Sequence, residues 1–379
     1  MAVFTLPPDL IIFYKKHIEF LTDHAVDPDK RRYASKHEAI RHYIDLDVWG
    51  KYPFDDFPKT HFQAIMKYTD FFWVNEKHDT IQLMGNELRI MEDDFYIKFK
   101  TQKKQEVVIS KKDYQKFIYN NVLALYYEDE WLINCDSFQH YFGEIFQLNN
   151  CQQVIGKDRF SEFGILPFNL MRVQKKLTNA FRNKNVPAIL RQSAELGHYI
   201  GDAHVPLHTT ENYNGQMTNQ NGIHAFWESR IPELFANEEY DFFVGKAKYI
   251  ENKQDYFWKI VLESHQLVDS VLSIEAALVK AFPQDKQFCF DERNGITTRL
   301  QCRAFAKAYS DRMQGMVEQR MTQSIQAVGC MWYTAWVDAG QPDLSIFSKK
   351  ELTDAERKEL EELENAYRKG EIKGRAHSN

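Results

Sequence analysis

Two short histidine-containing segments constrain this chain more than any other feature. In "LGHYIGDAHVPLH", His198 and Asp202 are four residues apart on a predicted helix, and His208 follows after a proline. In "GIHAFWES", His224 and Glu228 repeat the four-residue spacing. Residues four apart on a helix lie on one face, about one turn from each other. Two helices and one turn can therefore present five polar side chains to one cleft.

The side chains in these two segments are of the kind that binds divalent metals. Imidazole nitrogen and carboxylate oxygen are the ligands that zinc takes outside thiolate sites. A lone histidine on an apolar helix face is usually a hydrogen-bonded core residue, whereas two matched pairs around a turn histidine favour a metal site. Divalent iron or manganese would tolerate the same ligands. His204 follows Asp202 by two residues and faces elsewhere on a helix, so we expect a structural or supporting role for it.

Two acidic segments near the start of the chain could complete such a site. "RHYIDLD" contains His42, Asp45 and Asp47, and "HAVDPDK" contains Asp27 and Asp29. Acidic residues in loops are mostly solvated, so these segments alone predict little. If His42 binds a metal, its second ring nitrogen needs an outer partner, and Asp45 and Asp47 are the candidates.

The run "LGHYIGDAHVPLH" followed by "GIHAFWES" resembles the superfamily of zinc-dependent phospholipase C and the fungal-type single-strand-specific nucleases. That superfamily has a His-x-x-x-Asp-x-x-x-Pro-x-His run and then a His-x-x-x-Glu or His-x-x-x-Asp pair. The resemblance covers roughly residues 1 to 60 and 160 to 340. It implies a mainly α, multi-helix fold with up to three zinc ions in a cleft. It also implies hydrolysis of phosphate esters, in phospholipid head groups or in single-stranded nucleic acid.

The resemblance further implies roles for individual residues. His198 and Asp202 would bind one zinc ion, with Asp202 bridging to another. His42 in "HYID" matches a ligand, and Asp27, fifteen residues earlier, fits an acidic ligand for which Asp29 is the rival. As the catalytic residue, Asp27 could also accept the proton of the attacking water. His208, His224 and Glu228 would hold a separate ion. The implied metal ligands are Asp27, His42, His198, Asp202, His208, His224 and Glu228.

The third zinc ion of the superfamily has other ligands. The mature amino terminus, a tryptophan, and a histidine in the first helix hold it, and both would lie before "AVFTLPPDL". Two of the three sites are thus largely complete in this sequence, and we expect the remaining ligands to precede Met1. Without them, the alternative function is that of a zinc-stabilised binding protein with no catalytic activity. The resemblance implies export to the periplasm or the extracellular space, although "MAVFTLPPDL" has no signal-peptide character.

Composition and periodicity give the expected organisation. Hydrophobic residues make up 44% of the chain, which is typical of a globular protein. The net charge of −6 gives no basic field for nucleic acid, but bound metal ions would supply local positive charge. We expect a helical domain over residues 1–345, with an insertion at about 70–158 that contains short antiparallel strands. The tail, 346–379, is predicted to be a charged, exposed helix. No apolar run is long enough to span a bilayer.

Two further features have open interpretations. The five cysteines show no CxxC spacing, and we interpret them mostly as buried thiols. The polar loop at 209–222 either lines the cleft and offers amides to substrate or is a plain surface loop. Tyr213, Phe226 and Trp227 are candidates for stacking against bases, and the alternative is that they belong to the core.

Overall fold

The computed structural model describes residues 1–84, 89–90, 96–100, 106–128, 130–293, 296–344, 358 and 361–362. Over these residues the chain is mainly helical, as the periodicity predicted. Short 3-10 and π turns connect or extend several helices. In chain order, the helices are α1 (Pro8–Lys15), α2 (Ile18–Asp23), α3 (Asp27–Arg32), α4 (Lys36–Ala39), α5 (His61–Tyr68), α6 (Lys111–Phe117), α7 (Cys135–Phe142), α8 (Leu166–Arg182), α9 (Val186–His204), α10 (Ile223–Ala225), α11 (Ile231–Glu239), α12 (Lys253–His265), α13 (Val268–Ala281), α14 (Arg303–Arg312) and α15 (Met316–Asp338).

The strands are short and pair in the antiparallel direction. They are β1 (Thr69–Asn75), β2 (Thr80–Met84), β3 (Arg89–Ile90), β4 (Tyr96–Lys100), β5 (Glu106–Ser110), β6 (Trp131–Ile133), β7 (Cys151–Asp158), β8 (Phe288–Arg293) and β9 (Ile296–Gln301). One sheet has the order β2-β1-β7-β6, a second has the order β3-β4-β5, and β8 pairs with β9. Alternation of side chains over residues 80–114 predicts short strands, which correspond to β2 to β5, whereas β1, β6, β7 and the β8–β9 hairpin were not predicted.

The periodicity of the sequence predicts one long helix around 254–281 and another around 299–338, and each is divided in the structure. Residues 254–281 form α12 and α13, and residues 299–338 form the end of β9 followed by α14 and α15. Between α14 and α15, Gln314 and Gly315 both have positive φ, 52° and 80°. Glycine adopts this left-handed conformation without steric cost, so the chain can turn there. The helical periodicity continues across the break and therefore does not reveal it.

The chain forms two compact units, residues 1–54 with 163–379, and residues 55–162. The predicted insertion at 70–158 falls inside the second unit. An aromatic core stabilises this unit, and it includes Phe71, Tyr114, Phe117, Phe138 and Phe142, all at most 1% exposed. The predicted tail at 346–379 lies outside the described residues, apart from helical positions 358, 361 and 362.

Helix α9 is the central element of the first unit and packs against α8, α12 and α15. Its amino terminus is capped by Asn185, whose side chain accepts a hydrogen bond from the backbone N–H of Ala188 at 3.3 Å. Its carboxyl end is held by Arg320 of α15, which is 3% exposed and donates to the carbonyl of His204 at 3.0 Å. The same guanidinium donates to the carbonyl of Ile260 in α12 at 3.2 Å. One buried arginine thus joins three helices.

The interpretation of the cysteines as mostly buried thiols was wrong. Cys135 is bonded to Cys151, and Cys289 is bonded to Cys302. Only Cys330 is a free, buried thiol. Each disulfide joins residues that are distant enough in sequence, 16 and 13 positions, to give no short motif. Among the described helices, none has the length and apolar character needed to cross a membrane.

Candidate metal centre

The first cluster of potential ligands lies where α3, the turn after α4, and α9 meet. Nδ1 of His42 is 2.9 Å from Oδ2 of Asp202 and 3.1 Å from Nε2 of His198. Nε2 of His198 is 3.4 Å from the same Asp202 oxygen, because the two residues are one turn apart on α9. Oδ1 of Asp29 completes the group at 3.8 Å from His42 Nδ1 and 3.7 Å from His198 Nε2.

Most of these separations are close to those in a tetrahedral metal site, and Asp29, His42 and His198 can converge on one ion. Zinc–nitrogen and zinc–oxygen bonds of about 2.0–2.2 Å place tetrahedral ligand atoms about 3.3 Å apart. Of the six distances among the four ligand atoms, the five that involve a ring nitrogen range from 2.9 to 3.8 Å. Two imidazoles and two carboxylates supply two nitrogen and two oxygen donors, which zinc accepts. The side chain of His42 is 1% exposed, so its nitrogen faces this group and not water.

The structure places Asp27 away from this cluster. Its Oδ2 is 2.6 Å from Nδ1 of His24, and its Oδ1 is 3.2 Å from the ammonium group of Lys30. Asp27 is the first residue of α3, and Asp29 is two residues further on. Two residues rotate a side chain by about 200° around a helix, so the two carboxylates face opposite sides. Asp29, the rival in sequence, is the one beside His42 and His198.

The second cluster contains His208, His224 and Glu228. Oε2 of Glu228 is 2.7 Å from Nε2 of His224 and 3.6 Å from Nε2 of His208. The other nitrogen of each ring is beside a backbone carbonyl: His208 Nδ1 is 2.6 Å from the oxygen of His42, and His224 Nδ1 is 3.1 Å from that of Tyr213. A carbonyl only accepts, so Nδ1 carries the proton and Nε2 turns its lone pair to the cluster.

Electrostatics favour a cation at both clusters. Burial alone would raise the pKa of Asp202, but His198, His208 and His42 lower it to about 2. Burial likewise opposes ionisation of Glu228, yet its histidine partners hold its pKa well below the usual value. Both carboxylates are therefore ionised and attract positive charge.

Asp47, one of the two outer partners expected for His42, has its partners elsewhere, and the other, Asp45, is buried at 3% exposed. Asp47 accepts hydrogen bonds from the Thr210 hydroxyl at 2.6 Å and from the Glu211 N–H at 3.0 Å, so it anchors the polar loop. The carboxylate beside the second ring nitrogen of His42 belongs to Glu38, at 3.9 Å. Sequence reasoning missed Glu38, although Glu38 and His42 have the same four-residue spacing as the other pairs.

Two of the three aromatic candidates for stacking belong to the core. Phe226 and Trp227 are 1% and 2% exposed. The Phe226 ring stacks on that of Tyr309 at 4.8 Å between centroids. Tyr213 is partly exposed, and its ring centroid is 6.2 Å from that of His224. Of the three, only Tyr213 is placed to contact a molecule at the second cluster.

Several side-chain amides of the polar loop at 209–222 hold the loop itself. Asn212 donates to the Thr218 hydroxyl at 3.0 Å, and its oxygen accepts from the Met217 N–H at 2.8 Å. Gln220 donates to the carbonyl of Leu272 at 2.8 Å and to Glu275 at 2.6 Å. These contacts give the loop a defined shape beside the second cluster, and they occupy the amides of Asn212 and Gln220.

His204 contacts backbone and not a cluster. Its Nδ1 is 2.7 Å from the carbonyl oxygen of Ile200, one turn earlier in α9. Burial and the neighbouring Arg320 lower its pKa to about 3, so it is neutral at physiological pH.

The sequence was compared with models of known protein families and with curated proteins. No family model matches the chain, and no curated protein matches it significantly.

Proposed function

We propose that this protein is a zinc-dependent hydrolase of phosphate esters. The observation that carries the proposal is the convergence of potential ligand atoms at two clusters, which a hydrogen bond between His208 and the backbone of His42 links. Nδ1 of His208, in the second cluster, lies 2.6 Å from the carbonyl oxygen of His42, in the first. Two neighbouring nitrogen and oxygen sites are the arrangement that phosphoryl-transfer enzymes use to hold paired metal ions.

In this proposal, Asp29, His42, His198 and Asp202 hold one ion, and His208, His224 and Glu228 hold another. Asp202 is the residue between them, because its carboxylate contacts His42 and His198 and interacts electrostatically with His208. When bound, zinc would supply positive charge for the phosphate oxygens and an activated water. The histidines and carboxylates would fix the spacing of the ions, and the carboxylates would neutralise their charge.

The proposal assigns proton transfer to Asp29 instead of Asp27. Its side chain is 37% exposed, so it reaches both the first cluster and solvent. Arg32 donates to the same Oδ1 at 2.9 Å, which orients the carboxylate. A carboxylate at the border between the cluster and water can accept a proton and pass it to solvent.

The proposed substrates are phosphodiesters, either in phospholipid head groups or in single-stranded nucleic acid. The polar loop and Tyr213 border the second cluster and would contact the groups attached to phosphorus. The two disulfides are consistent with an oxidising compartment, which fits an exported enzyme.

The test uses the full-length gene product, stripped with a chelator and then restored with zinc. We expect hydrolysis of bis-p-nitrophenyl phosphate after zinc is restored and none before. Single-stranded DNA and phosphatidylcholine vesicles then distinguish the two substrate classes. Zinc binding without hydrolysis of any of these would refute the enzyme and favour the binding protein. Absence of zinc binding would refute both.

A further inference from the structure

His42 has a second ring nitrogen that the metal cluster does not use. Nδ1 faces the carboxylate of Asp202, whereas Nε2 is buried and makes no hydrogen bond to the described part of the chain. A neutral imidazole that gives one nitrogen to a metal carries its proton on the other. Leaving that N–H buried without an acceptor is unfavourable. The metal-bound form of His42 therefore needs an acceptor at Nε2.

Glu38 is placed to be this acceptor. Its Oε1 is 3.9 Å from Nε2 of His42, and the residue is 2% exposed. A movement of about 1 Å would turn this contact into an ordinary hydrogen bond. Glu38 lies on α4 and His42 follows the end of that helix, so the two side chains share one local segment.

The surroundings of Glu38 keep it charged and oriented. The Tyr199 hydroxyl donates to Oε1, and Arg41 and Arg31 donate to Oε2 at 2.5 and 3.2 Å. With these three donors on its two oxygens, the Glu38 carboxylate is a fixed acceptor beside the unused nitrogen.

We propose that Glu38 is a positioning residue for metal binding. Its carboxylate accepts the Nε2–H of His42, and this fixes the tautomer in which Nδ1 is free to bind the ion. Outer carboxylates of this kind orient metal-binding histidines and strengthen them as ligands. Tyr199 connects Glu38 to the same histidines. Its ring centroid is 5.2 Å from that of His42, and it directly follows His198 in α9. This inference rests on the proposed function.

The chain offers a matched control in Glu195. Arg31 donates to Oε1 of Glu195 at 2.8 Å, so Glu195 and Glu38 share one arginine. Glu195 is also buried, and its other hydrogen-bond partners are Arg191 and Gln192. Glu195→Gln therefore removes the same charge and disturbs the same arginine without a contact to a metal ligand.

The experiment measures zinc affinity by competition with a chromophoric chelator, using the full chain. We expect Glu38→Gln to bind one of its ions about 10–100-fold more weakly than the wild type. Glu195→Gln is expected to bind both ions with wild-type affinity. In the cobalt-substituted protein, Glu38→Gln should alter the visible absorption of one ion and Glu195→Gln should not. Unchanged affinity in Glu38→Gln, or an equal loss in both variants, would overturn the inference.

A second measurement needs no variant. Nitrogen NMR of isotopically labelled histidine in the zinc-loaded wild type should show His42 protonated at Nε2. Protonation at Nδ1 would overturn the inference even if Glu38→Gln does not fold. If Glu38→Gln binds zinc with wild-type affinity and still hydrolyses the substrate, only the role of Glu38 is refuted. Absence of zinc binding by the wild type would refute it together with the proposed function.

Discussion

His208 donates a hydrogen bond from Nδ1 to the backbone carbonyl of His42, with 2.6 Å between the two atoms. The backbone contact is reinforced by the N–H of Ile44, which donates to the carbonyl of His208 at 2.9 Å. One residue pair thus fixes the ring of a proposed ligand in the second cluster against the backbone of a proposed ligand in the first. This link makes the two clusters neighbours in the fold.

His224→Ala should remove one metal ion per chain and leave the fold intact. The second cluster keeps only His208 and Glu228 after this change, and two ligands hold zinc poorly. The first cluster shares no side chain with His224 and should keep its ion. Elemental analysis of dialysed protein measures the zinc, and circular dichroism checks the fold. An unchanged zinc content would show that His224 is not a ligand. His140→Ala, at an exposed position in the other unit, is the control for loss of a histidine.

Asp29→Asn should weaken metal binding at the first cluster, and Asp27→Asn should not. The Asp29 carboxylate is 3.8 Å or less from both ring nitrogens, whereas Asp27 is engaged by His24 and Lys30. Asp29→Asn should also lower turnover, since an amide cannot accept the proton. The measurements are zinc titration and hydrolysis of bis-p-nitrophenyl phosphate. The opposite ranking of the two variants would restore Asp27 as the ligand.

Arg320→Met should destabilise the first unit by about 1–3 kcal/mol, because buried carbonyls lose a hydrogen-bond donor. The carbonyls of His204 and Ile260 would lose their donor, and these belong to two different helices. The free energy of unfolding in denaturant measures the change. Arg303→Met is the control, because that guanidinium is 55% exposed and pairs with Glu238. An exposed pair contributes about 0–1 kcal/mol. Equal effects would contradict the structural role of Arg320.

Thiol titration should separate the disulfides from the free cysteine. Cys330 is the free thiol, and the other four cysteines are paired. Unfolded but unreduced protein should therefore react at one thiol per chain, and reduced protein at five. Mass spectrometry of unreduced peptides should find Cys135 linked to Cys151. Five reactive thiols before reduction would show that neither disulfide forms.

The divided helices show one limit of sequence analysis. The apolar pattern of 254–281 continues through the interruption between α12 and α13, because both helices bury the same kind of side chain. The β8–β9 hairpin was missed for a related reason. Its strand β8 carries exposed Phe290, so it lacks the alternation that marks a strand with one buried face. Hydrophobic periodicity predicts an element only where its buried side chains recur at a regular spacing, so it misses elements whose burial is irregular.

The sequence by itself determined the two pairs His198/Asp202 and His224/Glu228, because four-residue spacing on a helix is local geometry and needs no knowledge of the rest of the chain. Only the tertiary structure decided that Asp29 and not Asp27 faces His42. That choice depends on where α3 begins and how it is rotated. The contact of His42 with Asp202 spans 160 residues, and it is set by the packing of distant helices, which no local pattern encodes.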